Sequence, residues 1–250
     1  MMKNQPYYRR LLNPFNHMNF RRIEECATLI SWLNPQAGER ILDIGCGDGY
    51  YDMLIAKSGA KVVGLDIQEK SLAVAQDLYQ DDLCEFVYMN AEELDFDDAS
   101  FDKVVSFCVV EHFHNDVRAM QHIFRSLKPG GWFVFSADSL SNPEITGAER
   151  DYHQKRYAVN TFYTMENLQE KLHNVGFDIE KMRYILTTPY ALALVRFSWK
   201  LDKLPKVLGV FRGLGYLSLL ALLKVNSYFS DRLSAPSQNG LTLLVCAKKR

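Results

Sequence analysis

The sequence predicts an α/β fold with a doubly wound parallel sheet, in a single domain that covers residues 1–250. Two short apolar runs, at 41–44 and 62–65, each end near a carboxylate. A glycine-rich turn and an apolar-periodic segment lie between them, and this order predicts a strand, a tight turn, a helix and a second parallel strand. A chain of 250 residues with 48% hydrophobic and 24% charged residues suits one large domain rather than two.

The turn between these two strands indicates a nucleoside-cofactor site. Gly45, Gly47 and Gly49 let the backbone approach a ligand closely, and N–H groups at the start of the next helix can face it. Asp66 ends the second strand, where its carboxylate can accept hydrogen bonds from both hydroxyls of a ribose. The spacing G-x-G-x-G, with Tyr50 where a third glycine would fall, disfavours a nicotinamide dehydrogenase.

The charges of this turn point to a cationic ligand. Asp43 and Asp48 would repel a pyrophosphate, but they suit a ligand with an ammonium and a sulfonium. With its glycines, the turn resembles the first motif of the class I S-adenosylmethionine-dependent methyltransferases. The E-H pair at 111–112 and the L-K-P-G-G-W-F-V-F-S stretch at 127–136 are similar to later motifs, most of all in the ubiquinone and menaquinone biosynthesis type. The resemblance covers about residues 38 to 138.

This resemblance implies a Rossmann-like, seven-stranded mixed sheet with an antiparallel last strand. The pattern places later strands at 85–89, 102–107, 177–186 and 241–247, and the 127–136 stretch contains the turn into strand five. Helices are expected at 71–79, at about 116–127, and between a Thr164 cap, with Asn167 at the capping-box position, and a Gly176 stop. Residues 1–38 are expected to form an N-terminal helical cap, in which Arg21 or Arg22 either meets the methionine carboxylate or lies on a solvated face. A helical hydrophobic insertion at 189–236 separates strands six and seven.

The resemblance also implies S-adenosyl-L-methionine as the cofactor. Asn90 stands where relatives usually have an aspartate that receives the adenine amino group, and its neutral carbonyl can accept the same proton. The expected cofactor-binding residues are Asp43, Gly45, Cys46, Gly47, Gly49, Asp66, Ile67, Asn90, Ala91, Glu92 and Phe107.

Three residues near the expected substrate position are the catalytic candidates. His112 follows strand four, and His153 lies in a polar excursion at 139–160. Either suits the removal of a proton from a hydroxyl acceptor. Glu111 is a base or a partner for the methionine ammonium. In the alternative interpretation, His112 only holds its loop through a backbone hydrogen bond. His114 is expected to be a surface residue at the start of a helix. No ligand spacing indicates a metal site.

The insertion is locally basic and apolar. Between 189 and 236 it carries seven Lys or Arg residues against two Asp residues, an excess of five positive charges in a chain of net charge −1. Its uncharged run, 213–223, is shorter than the roughly 18 to 20 residues that cross a bilayer. The alternatives are peripheral membrane contact, an apolar lid and a homodimer contact.

The most direct functional prediction is methyl transfer to a small or lipid-like acceptor at a hydroxyl oxygen. The alternatives are N- or C-methylation of a polar metabolite and a non-catalytic S-adenosylmethionine-binding protein. Nucleic acid is disfavoured as a partner, since residues 76–102 hold ten carboxylates and no Lys or Arg, and no N/D-P-P-Y/F motif follows strand four. Five scattered cysteines and an N-terminus without an apolar segment predict a cytoplasmic protein, with the inner face of a membrane as a site of peripheral contact.

Overall fold

A single seven-stranded sheet forms the centre of the protein. The computed structural model describes residues 20–202, 215, 218–219, 221–222 and 237–250. The strands are β1 (Arg40–Ile44), β2 (Lys61–Asp66), β3 (Cys84–Tyr88), β4 (Phe101–Phe107), β5 (Leu127–Asp138), β6 (Phe177–Ile185) and β7 (Thr242–Lys249). Their order is β3-β2-β1-β4-β5-β7-β6. β1 to β5 pair in parallel, and β7 runs antiparallel to both β5 and β6. The predicted mixed sheet with its antiparallel last strand is confirmed.

Helices cover both faces of this sheet. They are α1 (Phe20–Leu33), α2 (Tyr50–Ala56), α3 (Glu69–Tyr79), α4 (Asp116–Ser126), α5 (Gly147–Tyr157), α6 (Met165–Val175) and α7 (Pro189–Asp202). Buried side chains of α1, α2, α3 and α7 pack on one face, and those of α4 and α6 pack on the other. Successive strand residues alternate between these two cores, as Ile41 and Leu42 do, because side chains along a strand point to opposite faces.

The helix before β1 lies across β4 and β5. Its side chains at Cys26, Leu29 and Leu33 are buried, which follows from apolar residues at helical spacing. It ends at Leu33, directly before Asn34-Pro35, because a residue that precedes proline disfavours helical backbone angles. Residues 1–19 of the expected cap lie outside the described part of the chain.

The middle of the polar excursion at 139–160 folds as α5. Thr146 and Glu149 form a capping box at its start, with each side chain bonded to the other residue's backbone N–H. Arg196 Nε of α7 donates to Glu149 Oε1 at 2.6 Å, which ties the two helices together. The T-x-x-E pattern at 146–149 is the sequence signal for this helix. The sequence analysis described the segment only as a polar excursion and did not predict the helix.

The insertion between β6 and β7 begins with α7. Most of its apolar run at 207–223 falls outside the described residues, and Lys203 and Lys206 also lie outside them. Among the helices that are described, none is long and apolar enough to cross a membrane. The lid, dimer and membrane alternatives for this insertion stay predictions.

Candidate active site

A cleft opens at the carboxyl ends of β1, β2 and β4. It has a volume of about 1370 Å³, including its open mouth, and the loop after β1 forms part of its wall. The backbone of that loop turns back onto β2, since Gly45 N and Cys46 N both donate to Leu65 O. The predicted cofactor-binding residues that line this cleft are Gly45, Gly47, Asp66, Ile67, Asn90, Ala91, Glu92 and Phe107.

The three loop glycines all have positive φ, but they face different surroundings. A Cβ at Gly45 would lie 2.4 Å from Val109 Cγ2, and one at Gly49 would lie 2.7 Å from the ring of Phe86. At Gly47, with φ +59°, a Cβ would meet nothing within 4 Å among the described residues. Gly45 and Gly49 are therefore required by the protein's own packing, whereas Gly47 leaves an open cradle beside the cleft.

Asp66 connects this loop to the next. Its Oδ2 accepts from Gly47 N at 2.8 Å, and its Oδ1 accepts from Gln68 N at 2.7 Å. Each carboxylate oxygen has a further lone pair, so the side chain can hold the loop and still accept a hydrogen bond from a ligand hydroxyl in the cleft.

The segment after β3 uses its polar groups to hold its own backbone. Asn90 Oδ1 accepts from Glu92 N at 3.0 Å, so the carbonyl expected to meet an adenine amino group already caps a 3₁₀ turn. The Glu92 carboxylate accepts from His114 N and Asn115 N at 2.9 and 3.0 Å. Glu92 therefore fastens the loop after β4, and His114 lies exposed at the cleft.

Three of the predicted cofactor residues, Asp43, Cys46 and Gly49, do not line the cleft. Asp43 and Cys46 are buried behind the loop, and the Asp43 carboxyl group faces Asp52 of α2. Asp43 and Cys46 therefore pack against the buried side of the loop and do not face the cleft.

A second cavity, here called the acidic pocket, adjoins the cleft. Its lining residues are Arg22, Glu25, Cys108, Glu111, His112, Asp138, His153, Tyr157 and Thr242. Arg22, Cys108, His112 and Tyr157 also line the cleft, so the two cavities share a wall. The predicted catalytic residues His112, His153 and Glu111 come together around this one pocket.

Arg22 of α1 lies on the wall that the two cavities share, and Glu25 of the same helix lines the acidic pocket beside it. Arg22 Nη1 donates to Phe107 O at 2.9 Å and to Glu25 Oε1 at 3.2 Å. Glu25 Oε1 also accepts from Ser136 Oγ at 2.6 Å. Arg22 is therefore a cleft residue rather than part of a solvated helix face. Glu25, which the sequence did not single out, fixes its position.

His153 is a buried imidazole with one free nitrogen. Its side chain is 4% exposed, and its Nε2 lies 2.6 Å from Asp138 Oδ2. Its Nδ1 is buried with no hydrogen-bond partner among the described residues. When Nε2–H donates to Asp138, the lone pair is on Nδ1. Asp138 ends β5 at the same sheet edge as Asp66 ends β2, which is the signal by which it could have been found.

Glu111 and His112 follow β4 in a 3₁₀ turn. Glu111 is 1% exposed, and its Oε2 has no hydrogen-bond partner among the described residues. Burial, together with the nearby Asp138 charge, raises the pKa of Glu111 well above its usual value. His112 Nδ1 lies 3.1 Å from Ala158 O, which can only accept, so Nε2 of His112 carries its lone pair.

The acidic pocket brings together groups that no sequence spacing connects. Single ligand atoms of Cys108, Glu111 and Asp138 lie within 4.8 Å of one another. This set mixes a soft thiol with hard carboxylates, and Asp138 is already engaged by His153. The expectation that the protein has no metal site stays a prediction.

Comparison with known proteins identifies the central part of the chain. Residues 42–135 match the family model described as a methyltransferase domain. This segment is a methyltransferase domain. It contains β1 to β4 and most of β5, with the glycine loop and Asp66. The resemblance to class I S-adenosylmethionine-dependent methyltransferases, and S-adenosyl-L-methionine as the cofactor of that class, are confirmed.

Curated relatives of the methyltransferase domain include quinone-biosynthesis proteins. A demethylmenaquinone methyltransferase of Clavibacter sepedonicus is 39% identical over 119 residues, 47% of this chain and 48% of that protein. A ubiquinone biosynthesis O-methyltransferase of Paracidovorax citrulli is 36% identical over 126 residues, 47% of this chain and 52% of that protein. The chain thus spans about half the length of the curated relatives that it matches.

A solved structure shares the fold over most of the chain. Phosphoethanolamine N-methyltransferase 2 of Haemonchus contortus, in complex with S-adenosyl-L-methionine, superposes with a TM-score of 0.68 at 22% identity. The match covers 91% of this chain and 52% of that one. At this identity the similarity establishes the fold alone.

Proposed function

We propose that this protein transfers a methyl group from S-adenosyl-L-methionine to a hydroxyl oxygen of a small or lipid-like acceptor. The observation that carries the proposal is the Asp138–His153 pair, whose 2.6 Å contact leaves Nδ1 of a buried imidazole without a partner. This group lies in a pocket that adjoins the glycine-loop cleft. A hydroxyl acceptor requires such a proton acceptor, whereas an uncharged amine can be methylated without one.

The cleft has the groups that the cofactor needs. The open cradle at Gly47 and the lone pairs of Asp66 fit a ligand with a ribose, and Arg22 offers a guanidinium for a carboxylate. When bound, S-adenosyl-L-methionine supplies an electrophilic methyl group on a sulfonium. The adenosine part is assigned to Asp66, Ile67 and the segment after β3, which line the same cleft.

The acidic pocket is assigned to the acceptor. His153 removes the hydroxyl proton at Nδ1, and Asp138 is a positioning residue that fixes the ring and stabilises its protonated form. The raised pKa of Glu111 favours its protonated form, which can donate a hydrogen bond to a second oxygen of the acceptor. His112 and Tyr157, on the shared wall, exclude water and orient the acceptor toward the cleft.

The relatives named for ubiquinone and menaquinone biosynthesis support an acceptor of aromatic, lipid-like chemistry. Peripheral membrane contact and a dimer contact through residues 189–236 belong to the same proposal, as do a cytoplasmic location and the absence of nucleic-acid partners. The 139–160 segment supplies His153 and Tyr157 to the pocket, consistent with an active-site role for it.

Methyl transfer can be tested with three acceptors of different chemistry. The protein is incubated with methyl-labelled S-adenosyl-L-methionine and a simple catechol, a catechol with an alkyl tail, or an alkylamine. We expect label on the catechols, with the tailed one preferred, and none on the amine. Label on the amine alone would favour N-methylation. Cofactor binding without transfer to these acceptors, or to any organic or aqueous fraction of a cell extract, would favour a non-catalytic binding protein.

Replacing Asp66 by alanine is expected to weaken S-adenosyl-L-methionine binding by about 1.5 to 3 kcal/mol, the value of hydrogen bonds to a charged group. The carboxylate both receives the ligand and holds Gly47 N, so the loss affects the ligand and its loop. Isothermal titration calorimetry measures the change. Asp97→Ala removes the same charge from an exposed site and should leave affinity unchanged. Equal affinities in Asp66→Ala and the unmodified protein would refute the ribose assignment.

A further inference from the structure

Two buried carboxyl groups lie directly behind the cofactor loop. Asp43 of β1 is 1% exposed, and Asp52 of α2 is 0% exposed. In the sheet, Asp43 pairs in register with Gly64 of β2. A Cβ at Gly64 would lie 2.6 Å from Asp52 Oδ1, so the absence of a side chain at that position provides the space for the second carboxyl group. The pair is thus built by three segments of the chain.

No cation or donor balances this pair within the described residues. None of its four carboxylate oxygens has a hydrogen-bond partner there. The titratable groups that face the pair are the thiol of Cys46 and the carboxylates of Asp48 and Asp66. These neighbours add only negative or neutral groups. Two adjacent buried carboxylates in such surroundings cannot both be ionised, so a proton lies between them.

A second proton of the pair is lost near neutral pH, while the shared proton stays bound. Burial and the charge of Asp52 raise the pKa of Asp43 well above its usual value. Burial is also the main cause that raises the pKa of Asp52, to about 7. The pair titrates as one unit, and its charge changes by one near neutral pH.

We propose that Asp43 and Asp52 titrate as a pair, and that loss of the first of its two protons couples cofactor affinity to pH and distinguishes S-adenosylmethionine from S-adenosylhomocysteine. The inference rests on the proposed function, which brings both ligands into the cleft. Asp43 is two residues from Gly45, whose backbone lines that cleft. The sulfonium gives the substrate form one more positive charge than the product form. A positive charge in the cleft favours the deprotonated pair, and by linkage the deprotonated pair favours the positive ligand.

The direct test compares the two ligands at different pH. Dissociation constants for S-adenosylmethionine and S-adenosylhomocysteine are measured from about pH 6 to about pH 8 in the unmodified protein, Asp52→Asn and Asp97→Asn. Asp97→Asn is the matched control, since it makes the same change of side chain at an exposed site that does not line the cleft. We expect preference for S-adenosylmethionine to rise about three- to tenfold with pH in the unmodified protein and the control, and to stay constant in Asp52→Asn. Titration of the ligands' own amino groups cancels, because every variant is measured with the same two ligands.

Thermal unfolding without ligand gives a second readout. The folded protein keeps the shared proton at pH values where the unfolded chain has lost it, so its stability falls as pH rises from about 4 to about 7. Asp52→Asn cannot ionise at this position, so its melting temperature should fall less over that range.

The outcomes separate this inference from the function on which it rests. A pH-independent preference in the unmodified protein, with both ligands bound, overturns the shared-proton inference and leaves the methyltransferase proposal intact. The measurement on the unmodified protein decides this even where Asp52→Asn does not fold. Failure of both ligands to bind at any pH overturns both proposals.

Discussion

Replacing Gly47 by valine is expected to give a folded protein that no longer binds S-adenosyl-L-methionine. In the part of the chain that the structure describes, a Cβ at this position meets no atom within 4 Å, and the residue lines the cleft. The branched side chain would therefore occupy space that the ligand needs. Its φ of +59° adds strain of about 1–2 kcal/mol for a β-branched residue, which a domain of this size tolerates. Calorimetric titration measures the loss of binding, and circular dichroism verifies the fold.

Gly130 provides a matched control for this substitution. It also has positive φ, at +75°, and a Cβ there also meets nothing within 4 Å, but it lies in the turn at the start of β5, outside the cleft. Gly130→Val should carry similar backbone strain and keep full affinity. Gly45→Val should instead unfold or destabilise the protein, because its Cβ would collide with Val109. Undiminished affinity in folded Gly47→Val would show that the ligand does not approach this loop.

Much of the fold is contained in local sequence patterns. The runs at 41–44 and 62–65 are apolar except for Asp43 and Gly64, as expected of strands that are covered on both faces, so they predict central parallel strands. The Thr164 cap and Gly176 stop of α6 appear as predicted, with Asn167 completing the capping box and Gly176 at φ +114°. These signals need no tertiary information, because capping and turn geometry depend on neighbours within a few residues.

The acidic pocket could be predicted only in part. His112, His153 and Glu111 follow from residue type and position after a strand or in a polar segment. Asp138 and Glu25 do not, because their roles depend on contacts with residues 15 and 111 positions away, His153 and Ser136. Pairwise chemistry across the sheet edge is set by strand order and helix packing. A single sequence does not specify which polar groups meet there.

The same limit explains why two predicted cofactor-binding residues, Asp43 and Cys46, are buried in the core and do not line the cleft. Asp43 stands in the motif of the loop, yet its side chain faces away from the cleft because side chains alternate along β1. Asp52 was not among the predicted site residues, since a carboxylate in a helix is usually solvated. The sequence signal for the buried pair is Gly64, because a glycine inside a buried strand indicates that another group approaches closely. Here that group is the second carboxyl of the pair.

Replacing His153 by glutamine is expected to lower the turnover number by about one hundred- to ten-thousand-fold, the usual contribution of a general base. Glutamine keeps a side-chain amide that can donate to Asp138, but that amide cannot accept a proton. His153 lines the acidic pocket and not the cleft, so the dissociation constant of S-adenosyl-L-methionine should stay unchanged. Turnover is measured with the catechol acceptors, and cofactor affinity is measured by calorimetry on the same preparations.

Two comparisons distinguish base catalysis from a structural effect. His173→Gln changes an exposed histidine of α6 and should leave turnover unchanged. His153→Gly opens a space that free imidazole can enter, and a base role predicts that added imidazole restores part of the activity. His112 lines both cavities, so His112→Gln should change cofactor affinity and turnover together. Full turnover in folded His153→Gln would remove the base from the mechanism and leave alignment of donor and acceptor as the remaining source of catalysis.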